Sequence, residues 1–313
     1  MTQRWLAIVN PTAGGGRAGR RWQELARALR ACGVSVEAVQ TTTAGEATAL
    51  AREASGRVGG LIAVGGDGTV HEIVNGLPLE RPPLLAVAPY GTGNDFARGL
   101  RLPAAASALA TLIATRRAIA RRVGDIRYGP PGDEQVRRFI NGVGVGLDAA
   151  VLERLPTRGP RTVAYVIGTL RTLRHFRAAD AVVSWGGETH RGRFLLLYAG
   201  LGTHAGGGMQ ITPHAGERSD SLALTLIPEA PLAQILRLLP RLYAGSLHRV
   251  PWLTCAHSPQ LHVEAGSLTV EADGQLLGRG PIAVSIRPER LSVIAAHGQE
   301  GDNEGLSTVV DPL

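Results

Sequence analysis

The apolar run Leu61-Ile62-Ala63-Val64 breaks into Gly65-Gly66-Asp67-Gly68-Thr69, and no other feature constrains the fold of this chain as strongly. The run has the length and composition of a strand buried on both faces, as in a parallel sheet. A helical pattern follows from Val70 through Leu77. Glycines at the carboxyl end of such a strand let the backbone approach a phosphate closely, and the acidic group among them can manage a metal ion or a hydroxyl. A tight glycine-rich turn would explain the same residues if they stood alone. They do not.

Leu84-Leu85-Ala86-Val87-Ala88 is a second short buried strand, closed by Pro89-Tyr90-Gly91-Thr92-Gly93-Asn94-Asp95. A third, Trp5-Leu6-Ala7-Ile8-Val9, runs into Asn10-Pro11-Thr12-Ala13-Gly14-Gly15-Gly16 and then a helical stretch from Arg20 to Leu29. Three strands ending in glycine and hydroxyl loops, each followed by a helix, describe a nucleotide site at one edge of a parallel sheet.

With 313 residues, 44% of them hydrophobic, the chain can build two ordinary domains with real cores. Its two cysteines, Cys32 and Cys255, argue against a disulfide framework or thiolate metal site and fit a reducing cytosol. No apolar run approaches the roughly 20 residues that cross a bilayer, and no signal-peptide core is expected. A membrane substrate would be met from the membrane surface. Lysine is absent: the 33 basic residues are all arginine, and the net charge is +7. That removes the P-loop lysine, the strand lysine of protein kinases and Schiff-base chemistry, so triphosphate charge falls to backbone amides, metal and arginine. Codon preference would explain the arginines equally well. A basic surface is nevertheless drawn to anionic lipid headgroups. Nucleic acid is not the expected partner, because aromatic residues make up only 4% and no helix-turn-helix, zinc or RNP pattern occurs.

The pattern changes near residue 123. Residues 1–123 alternate strand and helix: strands 5–10, 34–39, 61–65 and 84–88, with helices 19–31, 45–54, 69–76 and about 104–117. This predicts an α/β domain with a doubly wound parallel sheet. Arg116-Arg117 and Arg121-Arg122 are expected to mark an exposed helix end and linker. Residues 124–295 carry short strands at Arg137–Gly142, Ala181–Trp185, Arg193–Ala199, Ser221–Ile227, His248–Trp252, Gln260–Glu264, Ser267–Glu271, Ile282–Arg287 and Leu291–Ala295. Turn signals between them predict an antiparallel sandwich or barrel. The polar tail, residues 296–313, is expected to be mobile or to return to the first domain.

The pieces NPTAGGG, Gly65 to Leu77 (GGDGTVHEIVNGL) and Pro89 to Leu100 (PYGTGNDFARGL) together resemble the diacylglycerol kinase catalytic family, which includes bacterial lipid kinases, sphingosine kinases and ceramide kinases. Weaker echoes keep the family's order at Val123–Ile126, Phe139–Gly144, Gly207–Met209 and Glu271–Gly274, to about residue 295. GGDGT alone is shared with NAD kinases and phosphofructokinases; GGDGT followed by PxGTxND is far more specific. The resemblance implies ATP and Mg²⁺ as cofactors and a lipid alcohol as acceptor. It also implies an active site in the cleft between the two domains, and a last segment that returns to the first. Homo-oligomerisation is left open.

Residue by residue, the resemblance places Asn10, Gly14 and Gly15 near the nucleotide, and Thr41 beside it, with Thr42 and Thr43 competing for that register. Gly65, Gly66, Gly68 and Thr69 would contact phosphates, with Gly91, Thr92 and Asn94 as the opposite wall. Glu72, one helical turn before Asn75, would reach the nucleotide or sit in a solvated salt bridge. Asp67, Asp95 and Asp125 would surround hydrated Mg²⁺, although Asp95 also suits a helix N-cap. Asp273 reads on its own as an Asp-Gly hairpin turn; the resemblance makes it the general base. Since Asn-Gly suits the same turn, asparagine at 273 is expected to leave stability nearly unchanged. Relatives carry glutamate after this Asp-Gly where this chain has Gln275. A structural Mg²⁺ site of bacterial relatives maps to Asp220 with the carbonyls of Glu217 and Leu222, with Ser221 replacing glycine. Val163, Val166, Ile167, Leu170 and Leu173, flanked by Arg161 to Arg177, form one amphipathic segment, and Ile235 to Leu242 another. Each either docks on a membrane or closes the core of the second domain. The competing functions are a soluble-substrate kinase of the NAD kinase type and a lipid-binding pseudokinase.

Overall fold

The structure, a computed structural model, describes residues 4–154, 168, 169, 171–218, 220–265 and 268–295. The first half contributes strands β1 (Trp5–Val9), β2 (Val36–Gln40), β3 (Gly60–Gly65) and β4 (Leu84–Pro89). Helices α1 (Ala13–Ala31), α2 (Glu46–Ala54), α3 (Asp67–Gly76), α4 (Asp95–Gly99) and α5 (Ala106–Thr115) connect and follow them. The strands are parallel in the order β4-β3-β1-β2. Alternate residues of β3 serve opposite faces. Ile62 and Val64 pack under Trp22, Leu25 and Leu29 of α1 and Leu109 and Ile113 of α5. Leu61 and Ala63 pack under Ala47 and Ala51 of α2 and Ile73 and Val74 of α3. Helices on both faces explain why this strand is an unbroken apolar run.

After α5 the structure departs from the expected linker. The helix does end at Arg116, in a left-handed conformation (φ 56°). Arg121 and Arg122, however, lie inside β5 (Ala118–Tyr128), which pairs antiparallel with a strand near the end of the chain. Arg122 is buried there and its guanidinium donates to the Ser221 carbonyl (3.3 Å), so a pair of arginines does not exclude a strand. β6 (Gln135–Phe139), β7 (Gly142–Gly146), the short helix α6 (Leu147–Leu152), β8 (Ala179–Trp185), β9 (Glu188–Gly200), β10 (Leu222–Pro228), β11 (Thr254–Ser258), β12 (Gln260–Glu264), β13 (Thr269–Ala272), β14 (Gln275–Arg279) and β15 (Ile282–Ile294) complete the second half. Its core is built from strand residues such as Val143, Leu197, Leu224, Val263, Val270 and Val284. The strand expected at His248–Trp252 is instead a 3₁₀ turn, Leu247–Arg249, with β11 starting only after Pro251, which cannot donate to a ladder.

Among the described residues all the strands form one 15-stranded sheet, and β15 joins its halves. The two strands expected at Ile282–Arg287 and Leu291–Ala295 are this single element. Its first residues pair with β12, and its whole length follows β5 with a register break between Ile286 and Arg290. At its end, Val293 lies beside Leu85 of β4, in parallel. The last segment before residue 296 thus returns to the first half. Residues 296–313, and Arg161, Val163, Val166, Ile167 and Leu170 of the first amphipathic segment, lie outside the described residues. The second segment forms the helices Leu232–Leu236 and Leu238–Tyr243, with Ile235 and Leu238 buried and Leu232, Leu236 and Tyr243 exposed. Among the described residues, no helix is long and apolar enough to cross a membrane.

Candidate active site

The loops after β1, β3 and β4 converge because their backbones need to touch. A Cβ on Gly91 would fall 2.2 Å from the Cα of Gly66, so only glycine lets the β3 and β4 loops meet. Gly14, Gly15 and Gly16 run through left-handed conformations (φ 63°, 68° and 81°), which side chains resist. The Asn10 amide donates to Thr69 Oγ1 (3.3 Å). The Arg17 guanidinium donates to the carbonyls of Tyr90 (3.4 Å) and Gly91, tying the first loop to the third.

Asp67 and Asp95 face one another across this junction. Asp67 Oδ1 accepts the amide of Phe96 (3.1 Å), and Asp95 Oδ2 accepts the amide of Gly207 (2.7 Å) from the other half. Burial, then the charge of Asp67, pushes the Asp95 carboxyl up to about 6. Its Oδ1 is buried without a hydrogen-bond partner, 3.6 Å from Arg98 Nε. A buried, unsatisfied carboxylate oxygen beside a second carboxylate suits a hydrated cation. These groups line a cleft of about 600 Å³ together with Asn141, Asp148, Glu271 and Asp273.

Asp273 occupies a left-handed position (φ 50°) at the tip of the β13–β14 hairpin, as an Asp-Gly turn requires. Its side chain is 3% exposed. Oδ1 accepts the amides of Asn141 (2.9 Å) and Gly142 (3.0 Å); Oδ2 accepts the amide of Ile140 (3.0 Å) and contacts His71 Nδ1 (3.0 Å). The expectation that asparagine is a silent replacement therefore needs correction. An amide supplies one acceptor oxygen and turns an NH₂ toward amide donors. Asp273→Asn is expected to cost roughly 2–4 kcal/mol and lower Tm by about 5–10 °C, as read by calorimetry. An unchanged Tm would show that these hydrogen bonds contribute little.

Two further carboxyls stand opposite. Glu271, two residues before Asp273 on β13, and Asp148 at the start of α6 are 2% and 7% exposed. Their oxygens lie over Gly144, where a Cβ would meet Glu271 Oε1 at 2.6 Å and Asp148 Oδ2 at 2.7 Å. They hydrogen-bond each other, and Glu271 Oε2 also accepts the amide of Gly274 (2.7 Å). Burial pushes Asp148 up to about 6 and Glu271 well above the usual carboxylate range. Neither was singled out in the sequence; Glu271 lies on β13, while Asp273 stands just beyond it in the hairpin turn.

The remaining expected residues scatter more widely. Thr41 is buried at the end of β2, its amide bonded to the Val9 carbonyl (2.9 Å). Gly65 packs on Thr69, Gly68 faces Gln275, and Thr92 is exposed at its loop. Asn94 donates to the Gly91 carbonyl (3.0 Å). Glu72 Oε2 accepts the amide of Ala47 (3.3 Å) at the start of α2. Asp125 is not among the cleft-lining residues; on β5 it pairs with Arg287 of β15 (2.7 Å), which also holds Glu289. Asp220 pairs with Arg290 (3.1 Å), Glu217 lies 3.7 Å from His257, and Leu222 begins β10. Among the described residues, no group of three or more His, Cys, Asp or Glu side chains is arranged to hold a metal directly.

Glycine and hydroxyl loops at strand ends, facing carboxylates from a second β-rich half, define a two-part phosphate-handling enzyme. Residues 4–126 match the diacylglycerol kinase catalytic domain, and residues 141–295 match the YegS C-terminal NAD kinase beta sandwich-like domain. The chain is 31% identical over 237 residues to a diacylglycerol kinase of Bacillus subtilis, covering 74% of this chain and 75% of that one. It is 28% identical over 289 residues to a diacylglycerol kinase of Staphylococcus saprophyticus, covering 90% and 92%. A crystal structure of a diacylglycerol kinase from Bacillus anthracis shares the fold, with a TM-score of 0.71, 22% identity and coverage of 94% and 97%. The chain belongs to the bacterial diacylglycerol and lipid kinase family, and it is an enzyme of that family.

Proposed function

We propose that this enzyme transfers the γ-phosphoryl group of ATP to a hydroxyl of diacylglycerol or a related lipid. The observation that carries the lipid assignment is a second, apolar pocket, open to solvent on one side. Leu147, Val151, Leu196, Met209 and Ile227 line it, and it adjoins the carboxylate cleft at Asp148, which lines both. Acyl chains suit such a pocket, whereas a dinucleotide acceptor would find few polar partners there, Asp148 and Thr169 among otherwise apolar side chains.

In this reading the loops of Asn10, Gly14–Gly16, Gly65–Thr69 and Gly91–Asn94 cradle the triphosphate. Asp67 and Asp95 would hold Mg²⁺ through water, Thr41 and Glu72 would lie toward the nucleotide, and Asp125, paired with Arg287, would stand apart from the cation. Bound Mg²⁺ neutralises charge on the phosphates. A carboxylate of the β13 side must take the acceptor's proton, and Asp273 is the one that the family resemblance names. Glu217, Asp220 and Leu222 would hold a second, structural cation. The enzyme would work from the membrane surface, drawn by its +7 charge.

Radiolabelled ATP offered with a total lipid extract, and separately with NAD, tests the assignment. A labelled lipid is expected. Labelled dinucleotide would instead make the chain a soluble-substrate kinase, and no label in either would make it a lipid-binding pseudokinase. Co-sedimentation with vesicles is expected to rise with anionic lipid content and fall with salt, each arginine near the surface contributing about 1 kcal/mol. Binding indifferent to both would leave codon preference as the reason for the arginines.

A further inference from the structure

We propose that His71 is a positioning residue for the transfer step: as a neutral imidazole with its hydrogen on Nδ1, it registers Asp273 against the glycine loop of the nucleotide half. The inference rests on the lipid-kinase reading, in which Asp273 is the base, and goes beyond it in naming what sets that base in place.

Asp67, His71 and Asn75 recur every four residues along α3, so one face of the helix presents all three. Asp67 belongs to the glycine loop, and His71, buried, stands one turn further on. Three of the donors on the Asp273 carboxylate are the backbone amides of Ile140, Asn141 and Gly142, which come from its own half of the molecule. The fourth contact, His71 Nδ1 at 3.0 Å, comes from the nucleotide half.

A ring of contacts fixes the hydrogen on Nδ1. The backbone amide of Arg138 can only donate, and it meets Asn75 Oδ1 (2.9 Å). The carbonyls of Arg138 (3.0 Å) and His71 (2.9 Å) can only accept, and both face Asn75 Nδ2. The Asn75 amide therefore has one allowed orientation. Its Nδ2 lies 3.3 Å from His71 Nε2, so Nε2 faces a donor and carries no hydrogen. An imidazolium, or the tautomer with its hydrogen on Nε2, would set two N–H groups against each other. What remains is a neutral ring that donates from Nδ1 to Asp273 Oδ2. Two residues beyond Arg138, the Ile140 amide donates to the same oxygen, and the ring closes.

This ring bridges the two halves where the reaction needs them in register. In the transfer step the acceptor oxygen bonds to the γ-phosphorus as the bond from that phosphorus to the bridging oxygen of ADP breaks. The electron pair of the broken bond leaves with ADP, and the hydroxyl proton passes to Asp273. Phosphate loop and base belong to different halves, and a misplacement of about 1 Å between reacting groups can cost about a hundredfold in rate. His71 ties the base to the same helix that begins in the phosphate loop.

The experiment measures kcat at saturating ATP and total lipid extract, the KM for ATP, and a thermal melt for the wild type, His71→Asn and His71→Phe. Asparagine keeps an N–H donor near the place of Nδ1; phenylalanine keeps the ring's bulk and has no donor. His71→Phe is expected to lower kcat by roughly ten- to a hundredfold with the KM for ATP unchanged. His71→Asn should recover most of that loss. A folded His71→Phe variant with wild-type kcat overturns the proposal. So does a kcat that follows melting temperature in both variants, which is what a merely structural histidine would give. Nitrogen NMR of the unliganded, isotope-labelled protein reads the ring directly, with the His71 signals identified by their loss in His71→Asn. A neutral ring with its hydrogen on Nδ1 is expected; a hydrogen on Nε2, alone or with one on Nδ1, overturns the proposal even where the phenylalanine variant fails to fold. Should the wild type label no lipid, the kinase reading fails on its own, while these spectra still judge the ring.

Discussion

Asp67→Asn is expected to lower kcat by roughly three powers of ten while shifting Tm by no more than about 2 °C. The asparagine oxygen can still accept the amide of Phe96, so the hydrogen bond that joins the β3 loop to α4 survives. What disappears is the negative charge. Without it the repulsion on Asp95 is relieved, which favours the empty fold and weakens the pull on a hydrated cation. Catalysis and stability should therefore separate. Steady-state turnover beside a thermal melt checks this, and wild-type kcat in a folded variant would mean that the nucleotide loop has been misplaced.

Asp95→Asn should do something less common: raise stability while removing activity. The ordinary value for this carboxyl is 3.8, and the fold raises it to about 6. A raised value means that the fold prefers the protonated form. The group's contribution is fully present below the unfolded value and is lost as pH rises through the folded one. At neutral pH the ionised group then weakens the empty fold by up to about 3 kcal/mol. Asparagine keeps an acceptor for the Gly207 amide and carries no charge. Its NH₂ lacks a partner where Asp95 Oδ1 now sits, which returns about 1 kcal/mol of the gain. The expected result is a Tm several degrees higher than wild type at neutral pH, with the difference gone by about pH 4. Added Mg²⁺ and ATP should raise the melting temperature of the wild type and not of the variant. A variant less stable at every pH would show that burial and Asp67 do not strain this carboxyl.

The nucleotide half was the legible half, for a physical reason. β3 and β4 are buried between helices, so their sequences are continuous apolar runs that end where the glycine loops begin. The loop residues from Gly65 to Asp95 followed from the same logic. β5 was missed because its arginines read as solvated surface, whereas the Arg122 head is buried against the Ser221 carbonyl, a partner 99 residues away. β7, Gly142-Val143-Gly144-Val145-Gly146, was largely missed because alternate glycines remove the side chains that signal a strand. Gly144 is needed there because Asp148 and Glu271 stand over it. The carboxyl pair was invisible for a related reason. It is assembled from α6 and β13, more than a hundred residues apart, and no local spacing announces a contact of that kind. Asp273 was found through its motif, but its hydrogen-bond partners come from α3 and the β6–β7 turn, which only the fold brings near.

The path of β15 has a consequence for how the protein is made. β4 receives its outer neighbour from Val293, which leaves the ribosome about two hundred residues after Leu85. At about 5–20 residues per second, the nascent first half spends 10 seconds or more with that strand's hydrogen-bonding edge open. An open edge is a template for pairing with another chain, so this interval is when self-association is most to be feared. A chain that stalls or is cut between Leu100 and Arg290 would carry all three glycine loops of the first half yet keep the exposed edge. The nucleotide half is therefore first in the sequence but among the last parts of the molecule to be completed.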